Sequence, residues 1–221
     1  MEFFECLGQR RSYRVFFQKD VDKGVMEKVL KAANRSPSYK NTQPWEVFVV
    51  AGEKRDALAK KLFDQASSGT TPTPDFPFPK EWPEALAQRS EEHGLRRAKA
   101  TGIDPEDKEE LRKRYLKNFQ FYDAPCAVLI GMDRNLTPWS VFDLGLFVHG
   151  LLLSLEAEGL GACPQAMPMA YPEIIRKELG IPDTICFILA IAVGYPDLES
   201  PVNQYHSYRK DTGEFVRWYG F

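Results

Sequence analysis

The sequence predicts a layered domain of the α+β or α/β class, and three observations carry that reading. Three short apolar runs rich in branched residues, VFVVAG (47–52), APCAVLIGM (124–132) and CFILAIAVGY (186–195), fit buried strands. Long segments of helical period separate them. The 221 residues, 43% hydrophobic and 27% charged, suit one compact core of ordinary globular composition. Pattern alone leaves the strand directions open.

The elements follow in order. VDKGVMEKVLKAANRS (21–36) places Val25, Val29 and Ala32 or Ala33 at helical spacing, with Asp22 as N-cap and Pro37 ending it. After the first strand, EKRDALAKKLFDQA (53–66) returns to helical period. SSGTTPTPDFPFPKEWP (67–83) is dense in proline and glycine and predicts a long loop, of the kind used as a lid, a binding surface or a mobile excursion. Residues 84–120 are charged and predicted helical, broken near TGIDPED (101–107), where Asp104 is the expected cap. A long apolar helix is predicted from about 138 to 158, then a shorter one, YPEIIRKELG (171–180), closed by Gly180. The tail from 201 lacks amphipathic period, yet Phe215, Trp218, Tyr219 and Phe221 predict that it docks. The whole chain, 1–221, reads as one domain.

Composition excludes several classes. With 29 basic against 31 acidic residues, no broad basic surface for nucleic acid is expected. The N-terminal MEFFECLGQRR lacks an apolar signal segment, which predicts a cytoplasmic chain. Asp143, His149, Glu156 and Glu158 interrupt the apolar stretch 141–161, so it reads as a buried helix rather than a membrane span. Cys6, Cys126, Cys163 and Cys186 form no CxxC pair and predict buried thiols; with three scattered histidines, no metal site is expected. P-loop, GxGxxG and GxSxG motifs are absent.

Three stretches are left to carry chemistry. RRSYRVF (10–16) concentrates three arginines; on a helix Arg10 and Arg14 would share a face, either solvated or holding a phosphate. SPSYKNTQPWEVFVV (36–50) joins a helix to a strand, and its Asn and Gln can satisfy the amide edges of a flat heterocycle. GLGACPQAMPMAYPE (159–173) reads as a connection whose small residues let a ligand approach the backbone.

The order of these fragments, with KNFQFYDAP (117–125), LGIPD (179–183), VGYPD (193–197) and N-x-Y-H-S-Y-R (203–209), resembles the FMN-dependent nitroreductase family across essentially the whole chain. It is most similar to the nitrobenzoate and nitroaromatic reductase subgroup, which carries a long excursion, here about 67–121. The resemblance implies an α+β fold: a mainly antiparallel or mixed sheet flanked by helices, in an interlocked homodimer that exchanges C-terminal tails. It implies FMN as bound cofactor and NADH or NADPH as co-substrate. Arg10, Arg11, Ser12 and Arg14 would bind FMN, with Arg10 and Ser12 facing the phosphate and ribityl chain, Arg14 nearer the pyrimidine edge, and Arg209 gripping the phosphate; where a lysine often stands in relatives, this chain has Ser207. Pro37, Ser38, Tyr39, Asn41 and Gln43 would reach the flavin from the partner subunit. Pro164, Gln165 and Ala166 would lie against the isoalloxazine, with a backbone N–H near N5, and Asn118 near the pyrimidine, with Gln120 a further possibility.

The implied reaction is ping-pong two-electron reduction of a small nitroaromatic acceptor by hydride transfer at flavin N5. No side chain acts as acid, base or nucleophile in it; Arg14 stabilises the charge that develops on the ring. Phe76, Phe78, Trp82, Tyr115 and Phe119 of the excursion are the aromatics available to wall a substrate pocket. Reductive dehalogenation, flavin fragmentation, azoline dehydrogenation and non-catalytic flavin binding are the alternatives. PSYKNTQPW stands nearer to nitroreductases than to deiodinases, which usually carry PSGAHTEPW.

Overall fold

The computed structural model describes residues 2–221. Four strands, β1 (Glu46–Ala51), β2 (Cys126–Asp133), β3 (Gly161–Gln165) and β4 (Ile185–Gly194), form one sheet in the order β1-β2-β4-β3. Every pairing is antiparallel, from Glu46↔Gly131 at one edge to Gly161↔Gly194 at the other. The helices are α1 (Phe3–Gln9), α2 (Lys23–Ala33), α3 (Gly52–Ser67), α4 (Glu84–Ala100), α5 (Lys108–Lys117), α6 (Pro138–Ala157), α7 (Pro172–Leu179) and α8 (Pro201–Gln204). This is the α+β architecture.

Both faces of the sheet are covered, which explains why β2 is apolar at almost every position. Its side chains alternate: Cys126, Val128, Ile130 and Met132 pack with Met26 and Val29 of α2 and with Leu144, Phe147, Leu151 and Leu155 of α6. Ala127 and Leu129 point the other way, to Leu58 and Leu62 of α3 and Ile175 of α7. Asp22 caps α2 by accepting from the Val25 N–H at 3.1 Å, and Gly180 closes α7 at φ 66°, both as the sequence implies. Among the described residues α6 is the one helix long and apolar enough to cross a membrane, and half of its most apolar window is buried in the core. Its other face exposes Trp139 and Phe142.

Four local readings change. β3 falls where the sequence suggested only a connection: it is five residues long and contains Pro164, which an edge strand tolerates because one side needs no partner. The cap of α5 is Asp107, accepting from the Glu109 and Glu110 N–H groups at 3.0 Å; Asp104 instead closes a local turn to the Glu106 N–H. α1 precedes the arginines, and Arg10 onward is not helical, so Arg10 and Arg14 do not share a helix face. The proline-rich loop after α3 is pinned at Asp75, whose carboxylate is buried against Arg176 and Arg134. The N-terminal part of the predicted excursion is therefore part of the fold's frame.

Candidate active site

The chain leaves α1 in extended form and runs beside β3. Ser12 bridges to Ala162, the Tyr13 N–H donates to the Ala162 carbonyl at 3.1 Å, and the Phe17 N–H to the Tyr195 carbonyl at 2.9 Å. Gly161 allows the close approach: a Cβ there would stand 2.9 Å from Tyr13 Cγ. The buried Tyr13 hydroxyl donates to Glu156 of α6 at 2.9 Å. Burial and the neighbouring carboxylate push the phenol up to about 12. Burial also raises Glu156, against the pull of the Tyr13 hydrogen bond. The Arg11 guanidinium lies over the Tyr13 ring at 5.1 Å. Tyr13→Phe is expected to cost about 1–3 kcal/mol, because the buried Glu156 carboxyl loses its donor. Urea unfolding would measure this, and an unchanged midpoint would dismiss the pair as an anchor.

Asn203, fully buried in α8, ties the tail to this segment. Its Oδ1 accepts from the Arg14 and Val15 N–H groups at 2.7 and 3.2 Å, and its Nδ2 donates to the Val15 and Asp197 carbonyls at 2.7 and 2.8 Å. Four hydrogen bonds from one carboxamide fix the tail's entry relative to the arginines, residues almost two hundred positions apart.

Two cavities meet this frame. The smaller, about 440 Å³, is lined by Arg10, Arg11, Ser12, His149, His206, Ser207 and Arg209, with Leu7 and Gly8, and no carboxylate. Arg11 Nη1 stands 2.5 Å from His206 Nε2. A guanidinium only donates, so that ring nitrogen is the acceptor and the histidine is neutral. Burial and Arg11 both lower the His206 pKa. The cavity is thus an uncompensated cationic pocket, with room for a phosphate group and the chain attached to it.

The larger cavity, about 870 Å³, takes Arg14, Asn118, Pro164, Gln165 and Ala166, and is roofed by α4 and α5. Gln165 donates to the Asn118 carbonyl at 3.0 Å, while its own Oε1 is buried without a partner. The Nε atoms of Arg11 and Arg14 are buried and unpartnered too. Buried polar groups in folded proteins are nearly always hydrogen-bonded; of the five orphaned side-chain atoms among the described residues, three gather at these two cavities, and the others are Arg55 Nε and Ser67 Oγ. Phe121, Tyr122 and Asp123 all have left-handed backbone, φ 52°, 53° and 57°. Such strain in non-glycine residues persists where the surroundings demand it. Here the Tyr122 ring lies 5.8 Å from the Arg14 guanidinium, and its hydroxyl donates to Asn118 Oδ1 at 2.8 Å.

Pro37, Ser38, Tyr39, Asn41 and Gln43 line neither cavity of their own chain. They form an outward connection between α2 and β1. The Tyr39 N–H is held by the Asp143 carboxylate of α6 at 3.2 Å, the Gln43 N–H by Ser38 Oγ at 2.9 Å, and the Tyr39 side chain is exposed. Of the excursion aromatics only Tyr115 lines the larger cavity; Phe119 is wholly buried in the core, Phe78 packs against it, and Phe76 and Trp82 are exposed away from the site. Gln120 is not among the lining residues.

A family model described as "Nitroreductase family" matches residues 7–195. The chain belongs to the nitroreductase family. Nitroreductase NfnB of Mycolicibacterium smegmatis is 31% identical over 210 residues, covering 95% of this chain and 89% of that one. A 4-nitrobenzoate reductase of Pseudomonas putida is 27% identical over 220 residues, covering 100% and 96%. The crystal structure of the FMN and NADPH-dependent nitroreductase NfnB from Sphigopyxis sp. strain HMH superposes with a TM-score of 0.96 over the full length of both chains, at 28% identity.

Four residues of this nitroreductase-family site escaped the sequence reading. His149 and His206 enter the cationic cavity, and Tyr122 and Arg97 enter the larger one. Tyr122 lay inside the KNFQFYDAP motif and His206 inside N-x-Y-H-S-Y-R, so these two were the most accessible of the four. Arg97 sits in a run of charge that looks solvated, and only the docking of α4 turns it inward.

Proposed function

We propose that this chain is an FMN-dependent NAD(P)H oxidoreductase that reduces nitroaromatic acceptors in two-electron steps. The observation carrying this is the set of guanidinium groups without anions: among the described residues no carboxylate lies within 4.0 Å of Arg10, Arg11, Arg14 or Arg209. The donor set suits the cofactor. Arg10, Arg11, Ser12 and Arg209 would hold its phosphate, with Ser207 standing where relatives often supply a lysine and His206 and His149 lining the same cavity. Arg14, Asn118 and Gln165 would meet the polar edges of the ring, and the orphaned Gln165 Oε1 can accept from a ring N–H. When bound, the flavin supplies a centre that accepts a hydride from the nicotinamide and passes it on, so one cavity serves both substrates in turn.

The protein's part is positioning and electrostatics. Arg14 would stabilise the negative charge that reduction places on the ring, and α4 and α5 would lie over the transfer site. No side-chain acid or base is required. The functional assembly is a homodimer: the exposed Trp139 and Phe142 on α6, with Phe215, Trp218 and Tyr219 of the tail, are apolar surface of the kind a second copy would cover. The outward 37–43 connection would then reach the partner's cofactor.

The purified protein should be yellow, should bleach anaerobically with NADPH or NADH, and should regain colour on adding a nitroarene. Arg10→Ala and Arg209→Ala should each weaken FMN retention by about 1.5–3 kcal/mol, the worth of a charge-assisted hydrogen bond. A colourless protein that takes up no FMN, or retention untouched in both variants, would sink this reading.

A further inference from the structure

The larger cavity does not balance its charge. Arg14, Arg97, Arg114 and Lys117 line it, against Glu91, Glu110 and Asp123. Arg114 pairs with Glu110 at 2.7 Å and Lys117 with Asp123 at 2.5 Å. That leaves two guanidinium groups and Glu91. Arg14 has its own neighbours, donating to the Ser12 carbonyl at 3.1 Å beside Tyr122. Arg97 has none: among the described residues no carboxylate lies within 4.0 Å of it and its guanidinium makes no hydrogen bond. Glu91 lines the same cavity from about one and two-thirds turns back on the helix, yet none of its oxygens comes within 4.0 Å of Arg97, so it does not pair with that guanidinium.

Arg97 is half-buried, and its pKa is lowered, first by burial and then by Arg14. Two like charges in a partly dry wall repel unless an anion sits between or beside them. The placement of Arg97 is also held from outside. On the same helix His93 meets the Tyr205 hydroxyl at 3.3 Å, and Arg96 lies over the Tyr208 ring at 5.1 Å. These contacts dock α4 on the tail and turn the next residue, Arg97, to the cavity. The smaller, cationic cavity has its own arginines and does not include Arg97.

We propose that Arg97 is an anion anchor for the substrates of this site, holding a carboxylate on an aromatic acceptor or a phosphate of the reduced nicotinamide. This rests on the function proposed above and narrows its substrate class to anionic molecules. Apolar side chains beside it, Leu95, Ala98, Ile103 and Leu111, would cover an aromatic ring whose charged substituent meets the guanidinium.

The test uses the FMN-loaded enzyme and its Arg97→Gln variant. Benzoate and benzamide, nearly equal in size and not reducible, are titrated by perturbation of the flavin spectrum. KM values are taken for NADPH and NADH with a neutral nitroarene as acceptor. Loss of a charge-assisted bond should weaken benzoate by about 10–100-fold while benzamide moves little, and Arg97→Lys should recover part of the loss. That result assigns the anion to the acceptor. Benzoate unchanged with a raised KM for NADPH, or for both nicotinamides, assigns it to the co-substrate. No change in any of these, equal weakening of benzoate and benzamide, or release of FMN from the variant overturns the proposal. A wild-type protein that binds no FMN fails the proposed function first, before Arg97 is altered.

Discussion

Asp75→Ala is expected to destabilise the protein by about 3 kcal/mol and to lower Tm by roughly 6–12 °C, at ~2–4 °C per kcal/mol for a chain of this size. The carboxylate is 6% exposed and Arg176 only 3%. Asp75 Oδ2 accepts from Arg176 Nη2 at 2.5 Å and from the Phe187 N–H at 2.9 Å, while Oδ1 accepts from Arg134 Nη2 at 2.8 Å. Breaking a buried pair by deleting one partner costs about 3–5 kcal/mol. The low end applies because Arg176 keeps Glu173 at 2.6 Å and the Ile185 carbonyl at 2.9 Å.

Burial pushes the Asp75 carboxyl up, but the donors from Arg176, Phe187 and Arg134 outweigh it and leave its pKa below the ordinary value of 3.8. A depressed carboxyl stabilises the fold fully above its unfolded pKa and loses that stabilisation as pH falls through the folded one. The gap between wild type and Asp75→Ala, measured by urea unfolding, should therefore be constant near neutrality and close below about pH 4. No gap at pH 7 would show that the pair contributes nothing, and a gap that never narrows as the carboxyl is protonated would show that its contribution is not ionic. The loop that Asp75 pins also leads into α4, so the variant should loosen the helix bearing Arg97. Faster proteolysis within 68–100 would register that.

Asn203→Ala should cost on the order of 2–4 kcal/mol. It leaves the Arg14 and Val15 N–H groups without their acceptor, at ~1–3 kcal/mol for each orphaned buried donor, with part of the segment still reachable by water. The expected loss is double: a lower unfolding midpoint, and weaker FMN retention in the portion that stays folded, because Arg14 and Arg209 lose their common anchor. Asn203→Asp separates the two effects. It keeps the acceptor for both N–H groups but sets a carboxylate against the Val15 and Asp197 carbonyls. Retention equal to wild type in both variants would mean that the tail is positioned by something else.

The sequence made the sheet's interior strands readable because both faces of β2 and β4 are covered, and continuous apolar runs of that length have few other uses. It hid β3, where five residues with a proline at a sheet edge carry no pattern of their own and gain strand form only by pairing with β4. It likewise made the 67–83 loop look free, since nothing local says that Asp75 will meet Arg176 a hundred residues later.

By itself the sequence determined three of the four strands, the principal helices and, through ordered motifs, the family. Those signals are local, so they survive in one dimension. Only tertiary structure decided which cavity each arginine enters, that His149 and His206 join the cationic one, and that Arg97 stands unpaired in the other. Charge compensation is a property of neighbours in space. A run of mixed charge in sequence looks balanced until folding pairs Arg114 with Glu110 and Lys117 with Asp123, and leaves Arg97 with none.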